Sequence, residues 1–99
     1  MIARRWHGRI PLAKEEDYLD LMRQHALPDY RSTPGNLGAW VLHRREGDVV
    51  HVETFTLWED EAAIRRFAGE DMAKAQYYDF DGLFLLEMEP EVVHFDVQS

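Results

Sequence analysis

Residues 54–78 read TFTLWEDEAAIRRFAGEDMAKAQYY, and the fold follows from this stretch. Thr54 to Trp58 alternates and is β-branched or aromatic, which suits a strand. Asp60 comes directly after Trp58-Glu59 and can cap a helix by accepting its free N–H groups. Ala63, Ile64, Phe67 and Ala68 repeat at helical spacing, and Gly69 is the natural residue to end that helix. Asp71 can cap a further helical turn through Ala75, and the segment closes on Tyr77-Tyr78. A strand that runs straight into helices is where small α+β proteins place a pocket.

Upstream, Val49–Trp58 pairs with Leu37–Arg45 across Glu46-Gly47-Asp48, a hairpin signal. Thr33-Pro34-Gly35-Asn36 is a turn by its chemistry. Before it, Lys14–Ala26 carries Tyr18, Met22 and Ala26 at helical spacing. Glu15, Glu16 and Asp17 lie in its first turn, where the helix dipole favours negative charge. Pro28 is expected to break or kink this helix, or to open a short turn at Pro28-Asp29-Tyr30. The chain opens on a strand, Ile2–Ile10, with Trp6 and His7 on opposite faces, and Pro11 stops it. Downstream, Phe80–Gly82 is a loop and Leu83–Leu86 an apolar patch of unassigned state. Val92–Val97 is a last strand with Val93, Phe95 and Val97 on one face.

The order is βαββαβ, the ferredoxin-like arrangement: an α+β fold with a four-stranded antiparallel sheet and both helices on one face. The sheet strands are apolar on both faces (Trp6, Trp40, Val41, Leu42, Val50, Val52, Phe55). The bare face therefore predicts a partner, and the expectation is a homodimer with two sheets packed face to face.

At 99 residues the chain is expected to be a single domain, 1–99, burying roughly 65% of its unfolded surface. Hydrophobic residues make up 45% and aromatic residues 12%, a folding composition. The formal charge of −8 argues against nucleic acid and anionic membranes as partners. The absence of cysteine removes disulfides and thiolate chemistry. With no apolar run of about 18 residues and no apolar N-terminal segment, a cytoplasmic protein is expected. Phosphate-cradling glycine loops and a defensible Ser–His–acid order are also missing.

Thr56-Leu57-Trp58-Glu59-Asp60, the Ala-rich helix and Phe67-Ala68-Gly69-Glu70-Asp71 together resemble the antibiotic biosynthesis monooxygenase (ABM) domain. The likeness extends over nearly the whole chain through Leu27-Pro28-Asp29-Tyr30-Arg31, Thr33-Pro34-Gly35-Asn36 and Glu89-Pro90-Glu91-Val92. It implies a dimeric α+β barrel and a small monooxygenase or oxidoreductase acting on a phenolic or quinol-like aromatic. No flavin or metal cofactor is implied, because the substrate supplies the electrons. The haem-degrading relatives use an Asn, a Trp and an iron-ligating His where this chain has His7, Phe67 and Tyr77, which argues against haem. The other reading is a non-catalytic barrel that binds a small hydrophobic ligand or serves a stress role.

Phenol oxidation needs a base and an aromatic slot. His7 is the candidate base, because a His titrates near neutral pH. If the sheet is oriented as in the family, His7 points between sheet and helices. Tyr77 is the second candidate catalytic group. Trp58, Phe67, Tyr78 and His94 are candidate substrate-binding residues, with Asp96 on the same strand face as His94. Each also has a plainer reading, as a core aromatic or a hydrogen-bonded core His. On a helix Tyr77 and Tyr78 would diverge by about 100°, so only one would face the pocket. No short-spacing ligand motif supports a metal site.

Overall fold

The computed structural model describes Met1–Ser99. Four strands, β1 (Ile2–Pro11), β2 (Asn36–Glu46), β3 (Val49–Trp58) and β4 (Val93–Asp96), form one sheet in the order β2-β3-β1-β4. Every neighbouring pair is antiparallel. The helices are α1 (Glu15–Leu21), α2 (Leu27–Ser32) and α3 (Glu61–Ala68). This is the ferredoxin-like α+β fold expected from the sequence. None of the helices is long and apolar enough to cross a membrane.

The register of the two central strands decides which side chains meet the helices. Trp6 lies opposite Thr54, Gly8 opposite Val52 and Ile10 opposite Val50. Successive strand side chains alternate between faces. The even positions of β1 and β3 thus share one face, and they enter a core with Tyr18, Met22, Ala26, Tyr30 and Ile64. Trp58, Ile10, Val50, Val52 and Ile64 are fully buried. The odd positions, His7 among them, face the open side. This corrects the orientation expected of His7. Trp6 and Ile10 are the larger apolar surfaces, so they claim the helical side, and His7 is carried to the other.

Pro28 does not break the first helix. Between α1 and α2 the chain widens into a π-helical turn, Met22–Ala26, where the Leu27 N–H donates to the Met22 carbonyl five residues back. In a regular helix Pro28 would offer no N–H to Gln24, and its ring would press on that carbonyl. The wider turn relieves this and the helix continues to Ser32. Other boundaries also differ. The hairpin turn has two residues, Gly47-Asp48, because Glu46 pairs with Val49. Gly47 takes φ 61° at the first turn position, where a two-residue hairpin turn needs positive φ. Asp71 caps only a turn, accepting from the Ala73 N–H at 3.2 Å. Residues 76–79, Tyr77 and Tyr78 included, lie in an irregular segment rather than on a helix.

A polar clasp at one end and a close steric fit at the other tie the helices to the rest of the fold. Glu15, buried at the start of α1, accepts from Arg45 at 2.7 Å and pairs with His43 at 3.1 Å, joining the helix to β2. The Arg45 hydrogen bond, then that of His43, holds the Glu15 pKa below the usual carboxylate range. Its contribution to stability is therefore present above about pH 4.5 and fades as pH falls through the lowered pKa. At the other end, Gly35 has φ 92° and an added Cβ there would lie 2.4 Å from the Ala63 Cβ. Strain and clash act together at that site. Gly35→Ala is expected to lower unfolding free energy by about 2 kcal/mol or more, measured by urea denaturation. A loss below about 0.5 kcal/mol would mean that the turn and α3 are loosely held.

Candidate functional site

A small cavity lies between sheet and helices. β1 contributes Trp6, β3 Thr54, α1 Tyr18, the π turn Met22 and α2 Tyr30, while Gln76, Tyr78 and Asp81 close it from the segment after α3. Its volume is about 10 Å³, room for one water. The walls are flat and aromatic, and a carboxylate stands at one side.

That carboxylate is held from two sides. Asp81 is buried, accepts from the Tyr18 hydroxyl at 2.8 Å and from the Tyr78 backbone N–H at 2.7 Å. Burial raises its pKa, although both hydrogen bonds oppose the rise. Burial also pushes the Tyr18 hydroxyl well above its usual range, with the Asp81 charge adding to the effect. Tyr30 is raised by burial too, and its hydroxyl meets Thr54 at 3.4 Å. Tyr78 is raised first by burial and then by its hydrogen bond to Asp29, 2.7 Å away. These tyrosines are thus neutral donors at physiological pH. Asp81 is the one carboxylate lining the cavity, and the rise in its pKa favours its taking up a proton.

The candidate residues read from the sequence fall into different places. Tyr78 lines the cavity. Trp58 and Phe67 stand behind it: Trp58 is fully buried with its indole N–H on the Thr56 hydroxyl at 2.8 Å, and Phe67 packs on Tyr30 at 4.6 Å and on Trp58 at 5.8 Å between centroids. Tyr77 touches the cavity only through Trp6, whose indole N–H donates to its hydroxyl at 3.2 Å, and it donates in turn to the Glu89 carbonyl. His94 lies on the helical face opposite Arg4 in the β1–β4 register, whereas Asp96 stands opposite Ile2. The pKa of His94 is lowered by burial, then by the Arg4 charge.

On the open face, His7 begins a chain of four side chains. Its Nδ1 is 2.7 Å from Glu89 and its Nε2 is 3.0 Å from His51 Nδ1, while His51 Nε2 is 3.2 Å from Glu46. The two imidazoles are stacked at 5.3 Å and border a shallow hollow with Leu42, Arg44 and Glu53. Glu46 is held below the usual carboxylate range by His51 and then Arg44. No three His, Asp or Glu side chains gather so as to hold a metal ion. His7 and Tyr77 meet only at Glu89, one on its carboxylate and the other on its carbonyl.

Trp6, Tyr18, Tyr30 and Asp81 were not singled out for this site from the sequence. For Tyr18 and Met22 a signal exists in the helical stripe of the first helix. None exists for Asp81, because its role rests on a contact with Tyr18, 63 residues away.

No family model and no curated protein matches this sequence. Solved structures do match its shape. The haem degrader MhuD of Mycobacterium tuberculosis, with two haems bound in its active site, aligns with a TM-score of 0.64 at 15% identity, over 98% of this chain and 95% of that one. A monooxygenase from the gene ActVA-Orf6 of Streptomyces coelicolor, in complex with Nanaomycin D, aligns with a TM-score of 0.63 at 19% identity, over 99% and 87%. A MhuD variant with two manganese protoporphyrin IX per active site gives 0.60 at 16% identity. At these identities the likeness is one of fold.

The Tyr18–Asp81 contact makes two predictions. Tyr18→Phe removes a donor from a buried carboxylate and should lower unfolding free energy by about 1–3 kcal/mol in urea denaturation. The pKa of Asp81 is raised on folding, so the folded state binds its proton more readily than the unfolded state. Its penalty is present above the raised pKa and lifts as pH falls towards 3.8. The stability of wild type relative to Asp81→Asn should therefore improve as pH is lowered from 7 to 4. A difference that is flat or runs the other way would contradict the raised pKa.

Proposed function

We propose that this protein is a small, cofactor-independent oxidoreductase of the monooxygenase type, with the ABM domain as its family. Its substrate class is a flat aromatic molecule bearing a phenol or quinol group. The observation that carries the reading is the meeting of aromatic walls with a buried carboxylate of raised pKa in one cavity. Trp6, Tyr30 and Tyr78 provide flat faces for a ring. A substrate hydroxyl set against Tyr18 passes its proton to the Tyr18 oxygen as the Tyr18 proton moves to Asp81. Tyr18 stays neutral throughout, as its burial demands, and Asp81 holds the proton. The electron-rich phenolate left behind reduces O₂ more readily than the phenol does. On an anthrone-like carbon, the CH₂ group becomes C=O with one oxygen atom, and the other leaves as water. The substrate supplies the electrons.

In this reading His7 and Tyr77 act through Glu89. His7 holds the carboxylate, Tyr77 holds the carbonyl, and Tyr77 also receives the Trp6 indole N–H. They fix a cavity wall instead of touching the substrate. Support for oxygen chemistry comes from the shape-related ActVA-Orf6 protein, a monooxygenase by name. Haem, the ligand of MhuD, fits poorly: no imidazole or thiolate lines the cavity, and Phe67 and Tyr77 stand where the haem degraders' Trp and His were aligned.

The barrel is proposed to be a homodimer formed through the open sheet face. Trp40, Leu42, Val93 and Phe95 are each 44–48% exposed on that face, a large apolar surface for a free monomer. The acidic, cysteine-free composition suits a cytoplasmic setting. One observation favours a second reading, a non-catalytic barrel that binds a small hydrophobic ligand: the cavity admits only about one water, and a ring that opened it by displacing Gln76–Asp81 would part Asp81 from Tyr18, leaving binding without the proton relay.

Oxygen uptake with a panel of anthrones, hydroxynaphthacenes and quinols separates the two. Turnover is expected on at least one, falling about 100-fold or more in Asp81→Asn and less than about 10-fold in His7→Ala. Absence of turnover on all of them, together with saturable binding, would leave the binding reading ahead. A larger loss in His7→Ala than in Asp81→Asn would return the base to the open face. Sedimentation at micromolar concentration should give a dimer, and Trp40→Glu should shift it to monomer; a wild-type monomer would end the dimer proposal.

A further inference from the structure

Arg4 is a deeply buried charge with little to compensate it. It is 2% exposed, on the helical face of β1, two residues before the cavity wall Trp6. A buried cation normally has an anionic partner, since removing it from water is costly. Arg4 forms none of the protein's ion pairs. One Nη donates to the Lys74 carbonyl at 2.9 Å, and its Nε has no hydrogen-bond partner. The guanidinium lies 5.6 Å over the Phe67 ring, which itself packs on the cavity wall Tyr30.

The neighbour across the strand pair has the same defect. His94 faces Arg4 in the β1–β4 register, and its buried Nε2 also lacks a partner. Two orphaned nitrogens, one carrying a fixed charge, thus stand on opposed residues of one sheet face. Tyr30, a wall of the cavity, feels the Arg4 charge. Burial lowers the pKa of Arg4, which is the direction an uncompensated cation takes. The acidic group that acts on His94 is Glu61, exposed at the start of α3 and already paired with Arg65 at 3.3 Å.

We propose that Arg4 and His94 form an anion subsite beside the cavity, and that the ligand is an aromatic carboxylate. A carboxylate oxygen accepts from Arg4 Nε while the second accepts from His94 Nε2, in the tautomer that carries its proton there. Arg4 supplies the charge that makes such hydrogen bonds strong. This rests on the cavity being the ligand site, as in the preceding reading, and adds to it the class of molecule that the cavity selects.

The test is calorimetric titration at pH 7 with two probes of one ring system, 1-hydroxy-2-naphthoate and 1-naphthol. Wild type is expected to bind the naphthoate about tenfold or more tightly than the naphthol. Arg4→Gln should erase the preference while keeping naphthol affinity, and Arg4→Lys should keep part of it. The His94 imidazole, followed by NMR, should titrate at higher pH with naphthoate bound and not with naphthol, because a nearby anion favours its charged form. Equal affinity of wild type for both probes overturns the subsite and leaves the cavity reading standing, with water alone meeting these nitrogens. An Arg4→Gln protein that keeps the preference overturns it too. If Arg4→Gln does not fold, His94→Gln decides: a preference reduced several-fold supports the subsite, and an unchanged one overturns it. Binding of neither probe removes the cavity reading and the subsite with it.

Discussion

Everything on the functional side of this molecule depends on the pairing of β1 with β3. With Trp6 opposite Thr54 and Ile10 opposite Val50, the even residues of both strands go down to the helices. A one-residue slip would exchange the faces. A slip of β1 would carry His7 in among the tyrosines and put Trp6 and Ile10 on the open side. The apolar surface of the even set holds the register, so the chemistry on each face is a consequence of hydrophobic burial.

The irregular segment from Gly69 to Val92 turns that scaffold into a site. It has little regular backbone pairing of its own and is held by side chains from elsewhere. Tyr18 holds Asp81, Arg9 grips Glu87 at 2.7 Å, His7 holds Glu89, and Asp29 takes the Tyr78 hydroxyl. Several of these contacts join a charged group to a strand or a helix across more than 45 residues of sequence. Polar bonds of this kind specify position more than they add stability, because each group also bonds well to water in the unfolded chain. The segment also lays Met72, Phe80, Phe84 and Leu85 against the core, and three of its residues close the cavity.

What could be read from the sequence divides along the same line. Strand alternation and helical stripes are local patterns, so the order of elements and the helix-covered face were legible from them. Which face of β1 meets the helices was not: Trp6 and His7 alternate equally well in either sense, and only the partner strand decides. Pro28 was read as a break, a kink or the opening of a short turn; the short helix α2 fits the last, while the wide turn that relieves the proline does not show in a single residue. The cavity was legible in part. Of the candidate residues, Tyr78 lines the cavity, and Trp58 and Phe67 pack behind it. Asp81, Arg4 and Tyr30 matter through contacts made far along the chain, and composition carries no trace of those.

The π turn at Met22–Ala26 has a consequence for how such a site can change. A π turn amounts to one residue inserted into a regular helix, and each residue of a helix turns the next by about 100°. Everything after it, Tyr30 and Asp29 included, is therefore dialled round by that one extra residue. Deleting a single residue from Met22–Ala26 would restore a regular helix yet swing Tyr30 off the cavity and take Asp29 from Tyr78. Lineages with this fold thus have a route to a new pocket that needs no change in any lining residue, only a gain or loss of length in the helix behind it.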